Sequence, residues 1–324
     1  MSELPAELGS RLTAAGLDPA DVARVALLAL AEDLPDGADV TTSATIPPGM
    51  QGTAHLVSRA AGVIAGLPVT EAVFILAGMG DGAADRVQRA AASIVPSVRP
   101  AATLACEHLV ADGDLVRPGQ LLTTIRGPLD TMLTAERAAL NLLCHLSGVA
   151  SLTRRWVDAV AGTGAKIRDT RKTMPGLRAL QKYAVRCGGG VNHRMSLSDA
   201  ALIKDNHVAA AGSLTAALAE VRNRLSDPAG PGQLPVEVEC DTLGQVAEAV
   251  AAGAELILLD NFSTEQMAQA VRLAGRRALL EASGGLTLAC AAEIAAAGVD
   301  FLAVGALTHS APALDIGLDL VRAG

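Results

Sequence analysis

Residues 236–261, which read VEVECDTLGQVAEAVAAGAELILLDN, decide the fold class of this chain. Two short strand-like runs, VEVEC and LILLD, flank an alanine-rich stretch whose apolar residues recur at helical spacing. A strand, a helix and a second strand in this order form a parallel pair, with the helix packed over one face of the sheet. This stretch therefore predicts one unit of a parallel α/β sheet.

The same alternation continues on both sides of that unit. Further strand-like runs occur at AKIRDT, AALIKDN, RALLEASGG and VDFLAVGAL, and further helical stretches at STEQMAQAVRLAG and TLACAAEIAAAG. Six such strands favour a complete or open (β/α) barrel over a doubly wound sheet. The GxGxxG turn that opens a dinucleotide-binding fold does not follow the first strand. We therefore place an α/β-barrel domain at residues 141–310.

The N-terminal part of the chain has a mixed pattern. PADVARVALLALAEDL predicts a helix that Asp18 or Asp21 can cap. The stretches GTAHLVSRAAGVIAG and ATLACEHLVADGDLVRPGQLLTTIRG predict antiparallel strands separated by turns. TAERAALNLLCHLSGVASLTRRWVDAV predicts a long helix linking the two parts, and any break in it is expected near Gly148. We place an N-terminal α/β domain at 1–140 and expect the tail 311–324 to rejoin it.

Composition excludes several classes of protein. Lys and Arg number 26 against 34 Asp and Glu, and the net charge of −8 argues against a general nucleic-acid binder. The five cysteines form no CxxC pair, so neither a zinc site nor a disulfide framework is indicated. No signal peptide pattern and no apolar run of membrane-spanning length is present. We expect a cytoplasmic protein with no nucleic-acid or membrane partner.

Acidic residues recur at the predicted strand ends. Glu239, Asp260 and Glu281 follow one another at intervals of 21 residues. Active sites of parallel α/β folds lie at the carboxyl ends of the strands, and carboxylates gathered there suit Mg²⁺. The alternative is that each acid caps the helix that follows it. The last strand-like run leads into Gly305 and His309, which reach the same edge.

Basic residues concentrate around the first two strands. Nine Lys and Arg against two Asp give residues 166–204 a net charge of +7 in an acidic chain. Arg178, Lys182 and Arg186 lie at four-residue spacing and fit a solvated helix face. Four others stand at strand ends or in glycine-rich loops, where Arg and Lys bind anions: Arg171, Lys172, Arg194 and Lys204.

The SGG sequence at 283–285 adds main-chain N–H groups before a helix predicted from Thr287, an arrangement that binds phosphate. Together with the cations and the strand-end acids, this loop predicts a phosphorylated substrate that carries several negative charges.

At this point the residues resemble a known family, the quinolinate phosphoribosyltransferases, also called carboxylating nicotinate-nucleotide pyrophosphorylases. The resemblance covers nearly the whole chain and rests on these ordered motifs: EDLPDGADVTT, SRAAGVIAGLPV, LTAERAALNLLCHLSGVASLT, IRDTRKTMPGLRALQKYAVRCGGGVNHR, LIKDNH, VEVEC, LLDN, EASGG and VGALTHSAPALDIGL. It implies an N-terminal α/β sandwich and an open, seven-stranded α/β barrel. It also implies a pentosyltransferase that converts quinolinate and phosphoribosyl pyrophosphate to nicotinate mononucleotide, pyrophosphate and CO₂ with Mg²⁺, in NAD biosynthesis.

The resemblance also implies residue roles. The positions that match quinolinate-binding residues are Arg137, Arg171, His193, Arg194 and Lys204. Arg137 would come from the neighbouring subunit of a homodimer, or of a hexamer. The positions that match the phosphoribosyl pyrophosphate and Mg²⁺ site are Lys172, Glu239, Asp260, Ser283, Gly284, Gly285, Gly305 and His309. Lys172, Glu239 and Asp260 are the expected catalytic residues, with Glu239 and Asp260 as metal ligands. Lys182 lies in the same stretch and is a further candidate for substrate binding.

Three alternatives stay open at this point. The first is a related pyrophosphorylase of the type associated with molybdenum uptake, which would use a different acceptor. The second is a barrel lyase that uses Lys172 or Lys204 to form a Schiff base, which requires a desolvated lysine. The third is a pure binding protein. The dense set of Arg, His and Lys suits a dicarboxylate and favours quinolinate.

Overall fold

A computed structural model of the chain describes residues 4–35, 39–79, 104–227 and 232–321. The chain divides into two compact units. Unit 1 comprises Met1–Leu152, Met174–Gly188 and Ala311–Gly324, and unit 2 comprises Thr153–Thr173 and Gly189–Ser310. Residues 322–324 of the predicted tail lie outside the described residues.

Unit 1 begins with three helices, α1 (Ala6–Ala14), α2 (Pro19–Asp33) and α3 (Val40–Thr45). Asp18 caps α2, because its carboxylate accepts a hydrogen bond of 2.9 Å from the main-chain N–H of Ala20. Asp21 instead lies in the first turn of the helix and pairs with Arg24. The predicted helix is confirmed, and Asp18 is its cap.

The following described residues of unit 1 form a four-stranded antiparallel sheet, a separate antiparallel pair of strands, and a helix. The elements are β1 (Gln51–Ser58), β2 (Gly62–Val63), α4 (Leu67–Ala77), β3 (Ala105–His108), β4 (Leu115–Val116) and β5 (Leu121–Pro128), of which β2 and β4 form the separate pair. A C-terminal strand, Ile316–Leu320, joins the four-stranded sheet, which has the strand order C-terminal strand–β1–β5–β3. Every pairing in it is antiparallel, as the sequence predicted.

A single long helix, α5 (Leu129–Ala159), follows β5. It runs unbroken through Gly148, so the break expected there does not occur. A Cβ atom at Gly148 would lie 2.2 Å from the carbonyl oxygen of Pro312, and glycine is therefore required for a close approach of the C-terminal segment. The predicted domain boundary near residue 140 falls inside this helix. A further helix of unit 1 is α6 (Arg178–Cys187).

Unit 2 contains a six-stranded parallel sheet. Its strands are β6 (Lys166–Arg168), β7 (Ala201–Ile203), β8 (Val236–Cys240), β9 (Leu256–Asp260), β10 (Leu279–Ser283) and β11 (Phe301–Ala303), and the C-terminal strand of unit 1 is therefore β12. The order is β6–β11–β10–β9–β8–β7. On the other side of β6, Arg168 forms an isolated parallel bridge with Val191. Among the described residues the sheet has six strands, and this bridge is the only pairing where the expected seventh strand would lie.

The helices of unit 2 follow the strands in alternation. They are α7 (Asp205–Ala211), α8 (Leu214–Ser226), α9 (Leu243–Ala251), α10 (Thr264–Ala274), α11 (Ala291–Ala296) and α12 (Ala306–His309), with a 3₁₀ turn at Leu288–Cys290. The predicted α/β barrel is confirmed. None of the described helices combines the length and the apolar character needed to cross a membrane.

The two faces of this sheet have different chemistry. Ile167, Val238, Ile257, Leu280 and Leu302 are buried, and helices pack on β8, β10 and β11. Because successive side chains of a strand point to opposite faces, the alternate positions point into the barrel. Those positions include the charged residues of the site.

Candidate active site

The carboxyl ends of the parallel strands bring most of the predicted site residues of unit 2 to one rim. Lys204 follows β7, Glu239 is the second-last residue of β8, Asp260 and Ser283 end β9 and β10, and Gly305 follows β11 closely. Register places Asp260 opposite Ser283. This rim is the expected position of an active site in a parallel α/β fold.

Lys204 and Glu239 form an ion pair at the rim. Lys204 Nζ lies 2.6 Å from Glu239 Oε2, and the lysine side chain is 46% exposed. Because the lysine end of the pair is about half exposed, Lys204 can exchange this partner for another anion at little cost.

The turn after β9 contacts the SGG loop at residues 283–285. Asn261 adopts the left-handed conformation with φ of 57°, and its side-chain amide donates a 2.7 Å hydrogen bond to Asp260. A Cβ atom at Gly284 would lie 2.2 Å from Asn261 Oδ1, and Gly284 itself has φ of 88°. Only glycine fits this position, both sterically and in conformation. The loop therefore holds the Asp260 turn and the SGG turn together.

The helix predicted directly after the SGG loop starts later than expected. Thr287 caps a short 3₁₀ turn, and α11 begins only at Ala291. The N-terminus of the α-helix is therefore not adjacent to the loop. The candidate donors for a phosphate are the main-chain N–H groups of the loop itself. Gly285 also has positive φ, of 60°, and its Cα faces open space.

Lys172, Gly305 and His309 come together beside β6 and β11. Thr308 Oγ1 donates a 2.7 Å hydrogen bond to the carbonyl oxygen of Lys172. A Cβ atom at Gly305 would lie 3.1 Å from Lys172 Cδ and 3.3 Å from His309 Nε2. The lysine stem therefore passes over a position without a side chain, next to the histidine ring. Lys172 and His309 are both exposed.

Arg171 and Arg194 lie close enough for the charge of one to act on the other. Burial lowers the pKa of Arg194, and the charge of Arg171 lowers it further. Arg171 Nε is buried and has no hydrogen-bond partner within the described residues. Like charges that face each other, with a buried donor left without an acceptor, are typical of a site that binds an anion.

His193 differs from the other candidates because it lies inside the barrel. Its side chain is 8% exposed, and Nε2 lies 2.9 Å from Glu237 Oε2. Asp169, which is fully buried, accepts a 2.9 Å hydrogen bond from the main-chain N–H of His193 and a second one from Asn192. Asp169 therefore fixes the segment that carries His193 and Arg194 through two hydrogen bonds.

Glu281 is also inside the barrel, and this corrects the interpretation of it as a rim acid. Its side chain is fully buried and lies 2.6 Å from Arg168, whose guanidinium stacks 4.9 Å from the centre of the Phe301 ring. Burial, followed by the charge of Glu237, raises the pKa of Glu281 to about 7. An acid near the end of a barrel strand can therefore lie in the barrel interior, as Glu281 does, as well as at the rim.

The sequence analysis missed Glu237 and Arg168. The signal for Glu237 was present in VEVEC, because residues 237 and 239 alternate with valines and must share a face. Arg168 was counted with the surrounding cations and was not assigned to the barrel interior. Among the described residues, His193, Glu237 and Glu281 are also the group with metal-ligand spacing.

A cleft of about 560 Å³ opens beside β7 and α8 in the same unit. Arg194 lies at its edge, and most of its lining is aliphatic, including Leu202 and Ala217. This lining does not suit a polyanion, so the charged rim is the better candidate site.

Two candidates belong to unit 1. Arg137 on α5 is 66% exposed, with the carboxylate of Glu136 at 3.9 Å. Lys182 on α6 is fully buried. The interpretation of Lys182 as part of a solvated helix face is therefore wrong, because the buried face of α6 includes it between Gln181 and Tyr183.

The barrel and its rim of cations, carboxylates and a glycine-rich loop define an α/β-barrel enzyme that acts on anionic substrates. Family models for quinolinate phosphoribosyl transferase match this chain twice: the N-terminal domain at residues 39–147 and the C-terminal domain at residues 149–319. The chain belongs to the quinolinate phosphoribosyl transferase family.

Named relatives agree with this assignment. Nicotinate-nucleotide pyrophosphorylase [carboxylating] of Mycobacterium leprae is 52% identical over 90% of this chain and 94% of its own length. Quinolinate phosphoribosyltransferase [decarboxylating] 1b of Nicotiana tabacum is 36% identical over 93% of this chain and 82% of its own. The crystal structure of NadC from Streptococcus pyogenes has a TM-score of 0.78 and 36% identity, and covers 99% of this chain and 100% of that one.

Proposed function

We propose that this protein transfers the phosphoribosyl group of phosphoribosyl pyrophosphate to quinolinate, with release of pyrophosphate and CO₂ and formation of nicotinate mononucleotide. This is the reaction named for the relatives, and it would supply NAD biosynthesis. The observation that carries the proposal is the Arg171–Arg194 pair, with the unsatisfied Arg171 Nε, at the rim of a barrel from this family.

Quinolinate carries two adjacent carboxylates, and two guanidinium groups match them in charge and geometry. Arg171 and Arg194 would each accept one carboxylate, which would relieve their mutual repulsion. Lys204 would turn from Glu239 toward the same anion. These contacts hold the pyridine nitrogen in a fixed position, ready to attack the sugar.

Phosphoribosyl pyrophosphate would bind on the opposite side of the rim. The proposed contacts are Lys172 and His309 for the pyrophosphate and the loop of Ser283, Gly284 and Gly285 for a phosphate, with Gly305 leaving room for the lysine stem. Lys182 is a further candidate. The cations stabilise the charge that develops on the leaving pyrophosphate, and this electrostatic effect lowers the barrier to departure.

Mg²⁺ is part of the proposal, and the carboxylates of the rim offer the oxygen ligands that it prefers. Asp260 fits the ion better than Glu239. Within the described residues no cation lies within ion-pair distance of Asp260, which accepts a hydrogen bond from the neutral amide of Asn261, whereas Glu239 is paired with Lys204. When bound, Mg²⁺ supplies positive charge to the pyrophosphate.

The reaction then needs no covalent bond to the enzyme. As the bond from the sugar to pyrophosphate breaks, positive charge develops on the ribose, and Glu239 and Asp260 favour that charge. The pyridine nitrogen donates its electron pair to the sugar carbon, which makes the ring cationic. The adjacent carboxylate leaves as CO₂, its bonding pair stays on the ring carbon, and that carbon takes up a proton.

The comparisons do not favour the alternatives. A Schiff-base lyase requires a desolvated lysine, and Lys204 is 46% exposed beside Glu239, while Lys172 is also exposed. A different acceptor would have to fit the paired guanidinium groups of Arg171 and Arg194.

An assay with phosphoribosyl pyrophosphate, Mg²⁺ and either quinolinate or nicotinate tests the reaction. Nicotinate mononucleotide and CO₂ should appear in equal amounts with quinolinate, and neither should appear with nicotinate. Turnover of nicotinate but not of quinolinate would contradict the proposed reaction. Borohydride treatment during turnover should not attach the substrate to the protein.

The active protein is proposed to be a homodimer in which Arg137 of one subunit completes the site of the other. The support is the exposure of Arg137 and the family resemblance. Arg137→Ala and Lys172→Ala should each be inactive, and mixed dimers of the two should recover up to about one quarter of the wild-type activity, because one of the two sites is then intact in half of the dimers. An absence of recovery in dimers shown to have exchanged subunits would argue against a shared site.

A further inference from the structure

The interior of the barrel in unit 2 contains a buried charged cluster below the rim. It consists of Arg168, His193, Glu237 and Glu281, which come from β6, the loop after Val191, β8 and β10. Arg168 Nη1 lies 2.6 Å from Glu281 Oε2, and His193 Nε2 lies 2.9 Å from Glu237 Oε2. His193 Nε2 is also 3.5 Å from Glu281 Oε1.

Two contacts determine which nitrogen of His193 carries a proton. The main-chain N–H of Arg194 donates a 2.7 Å hydrogen bond to Nδ1, so Nδ1 must present a lone pair. Nε2 faces the carboxylate of Glu237 and therefore carries the proton. The imidazole is neutral, and both of its nitrogens are engaged within the protein.

This tautomer decides between two roles for the cluster. His193, Glu237 and Glu281 have the spacing of metal ligands. A metal would need a lone pair on Nε2, which the proton occupies, and Arg168 already holds Glu281 Oε2 at 2.6 Å. The cluster is therefore suited to hold the imidazole in place.

The imidazole in turn connects the interior with the rim. Its Nδ1 fixes the main chain at Arg194, whose guanidinium donates a second hydrogen bond, of 2.9 Å, to the carbonyl oxygen of Ala200. A change in the ring orientation would release the first of these contacts and shift Arg194 relative to Arg171.

We propose that Glu237 is a positioning residue for the quinolinate site: by accepting the Nε2 proton of His193 it keeps Nδ1 available to the main chain of Arg194, and so fixes the Arg194 guanidinium where a carboxylate of quinolinate binds. The inference rests on the proposed function. It assigns Glu237 no contact with either substrate. Its loss should therefore weaken quinolinate binding selectively.

Steady-state kinetics of two substitutions at Glu237 test the proposal. Glu237→Leu removes the acceptor and should raise the KM for quinolinate about tenfold or more, while the KM for phosphoribosyl pyrophosphate stays within about twofold of wild type. Glu237→Gln keeps an amide oxygen that can accept from Nε2, and its quinolinate KM should stay within about threefold. Equal increases in both KM values, or a wild-type quinolinate KM in a folded Glu237→Leu protein, would overturn it.

Glu255→Leu is the matched control, since it removes the same charge from an exposed position of unit 2. It should leave both KM values unchanged. Cooperative thermal unfolding of each variant shows whether the protein is folded. If Glu237→Leu does not fold, Glu237→Gln and Glu237→Ala carry the test.

A second measurement does not depend on turnover. In protein with ¹⁵N-labelled histidine, His193, assigned with a His193→Gln variant, should show a protonated Nε2 and an unprotonated Nδ1 without substrate. Glu237→Leu should change that pattern, and Glu237→Gln should keep it. An imidazolium or a protonated Nδ1 in the wild type would refute the positioning role. If the wild type does not use quinolinate but shows this tautomer, the proposed function is wrong. The positioning role is then tested by calorimetry, which compares the binding of quinolinate to the wild type and to Glu237→Leu.

Discussion

Two ion pairs of the barrel have the same length and different surroundings. Lys204 and Glu239 lie 2.6 Å apart at the rim, where the two side chains are 46% and 13% exposed. Arg168 and Glu281 also lie 2.6 Å apart, but inside the barrel, where the two side chains are 16% and 0% exposed. Distance alone therefore says little about what an ion pair does. The rim pair can open toward a substrate, whereas the interior pair would leave a buried charge if it opened.

The largest expected effect comes from breaking the interior pair. Arg168→Leu leaves Glu281 without its cation and removes the stacking on Phe301. We expect a loss of about 3–5 kcal/mol in the free energy of unfolding, measured with urea at pH 8, where Glu281 with its pKa of about 7 is ionised. Arg224→Leu is the control, because its pair with Asp227 is exposed, and it should cost less than about 1 kcal/mol. Equal losses for the two variants would show that burial does not distinguish the pairs.

The pH dependence of stability gives the next largest effect. Glu281 has a pKa of about 7 in the folded protein, above its ordinary value of 4.5. As pH rises between these values, the unfolded chain releases this proton before the folded protein does, so folding becomes less favourable across the window and the loss is complete above about pH 7. Between pH 5 and pH 8 the contribution is on the order of 2–3 kcal/mol.

Glu281→Gln should remove this contribution. The difference in unfolding free energy between the variant and the wild type should therefore shift in favour of the variant from pH 5 to pH 8, whatever its value at pH 5. Urea unfolding at both pH values measures the shift. A difference that does not change with pH would mean that Glu281 is ionised throughout.

The smallest effect on stability is expected at the rim. Lys204→Met should change the free energy of unfolding by less than about 1 kcal/mol, because the lysine side chain is about half exposed and its charge is screened by water. The same change should lower kcat/KM for quinolinate at least about tenfold, because a cation for the substrate is lost. Stability and kinetics measured on one preparation would separate the two roles. A loss of stability comparable to that of Arg168→Leu would contradict the comparison.

The secondary structure of the fold could be predicted from the sequence because the patterns that determine each helix and strand lie within a few residues. The six strands, the helices between them and the Asp18 cap follow from spacing and capping chemistry within a few residues. Helix α5 is not broken at Gly148, where a break was thought possible, and the glycine has a non-local reason: it admits the carbonyl of Pro312 from the far end of the chain.

The site was predicted less completely. Sequence spacing found acids at strand ends, but it did not separate Glu239 at the rim from Glu281 in the interior, because depth inside a barrel depends on register and stagger between strands. The burial of Lys182 was not predicted. The four-residue spacing of cations indicates that they share a helix face, but it does not indicate whether that face is exposed to solvent or packed against other residues. The His193–Glu237 pair joins residues more than 40 positions apart, and no local pattern contains it.

A crystal structure of the protein with quinolinate tests the central claim most directly. We expect the two carboxylates to contact Arg171 and Arg194, Lys204 to move from Glu239 toward the ligand, and His193 Nε2 to stay near its present 2.9 Å from Glu237. Quinolinate bound away from the two arginines, or a carboxylate inserted between His193 and Glu237, would contradict it.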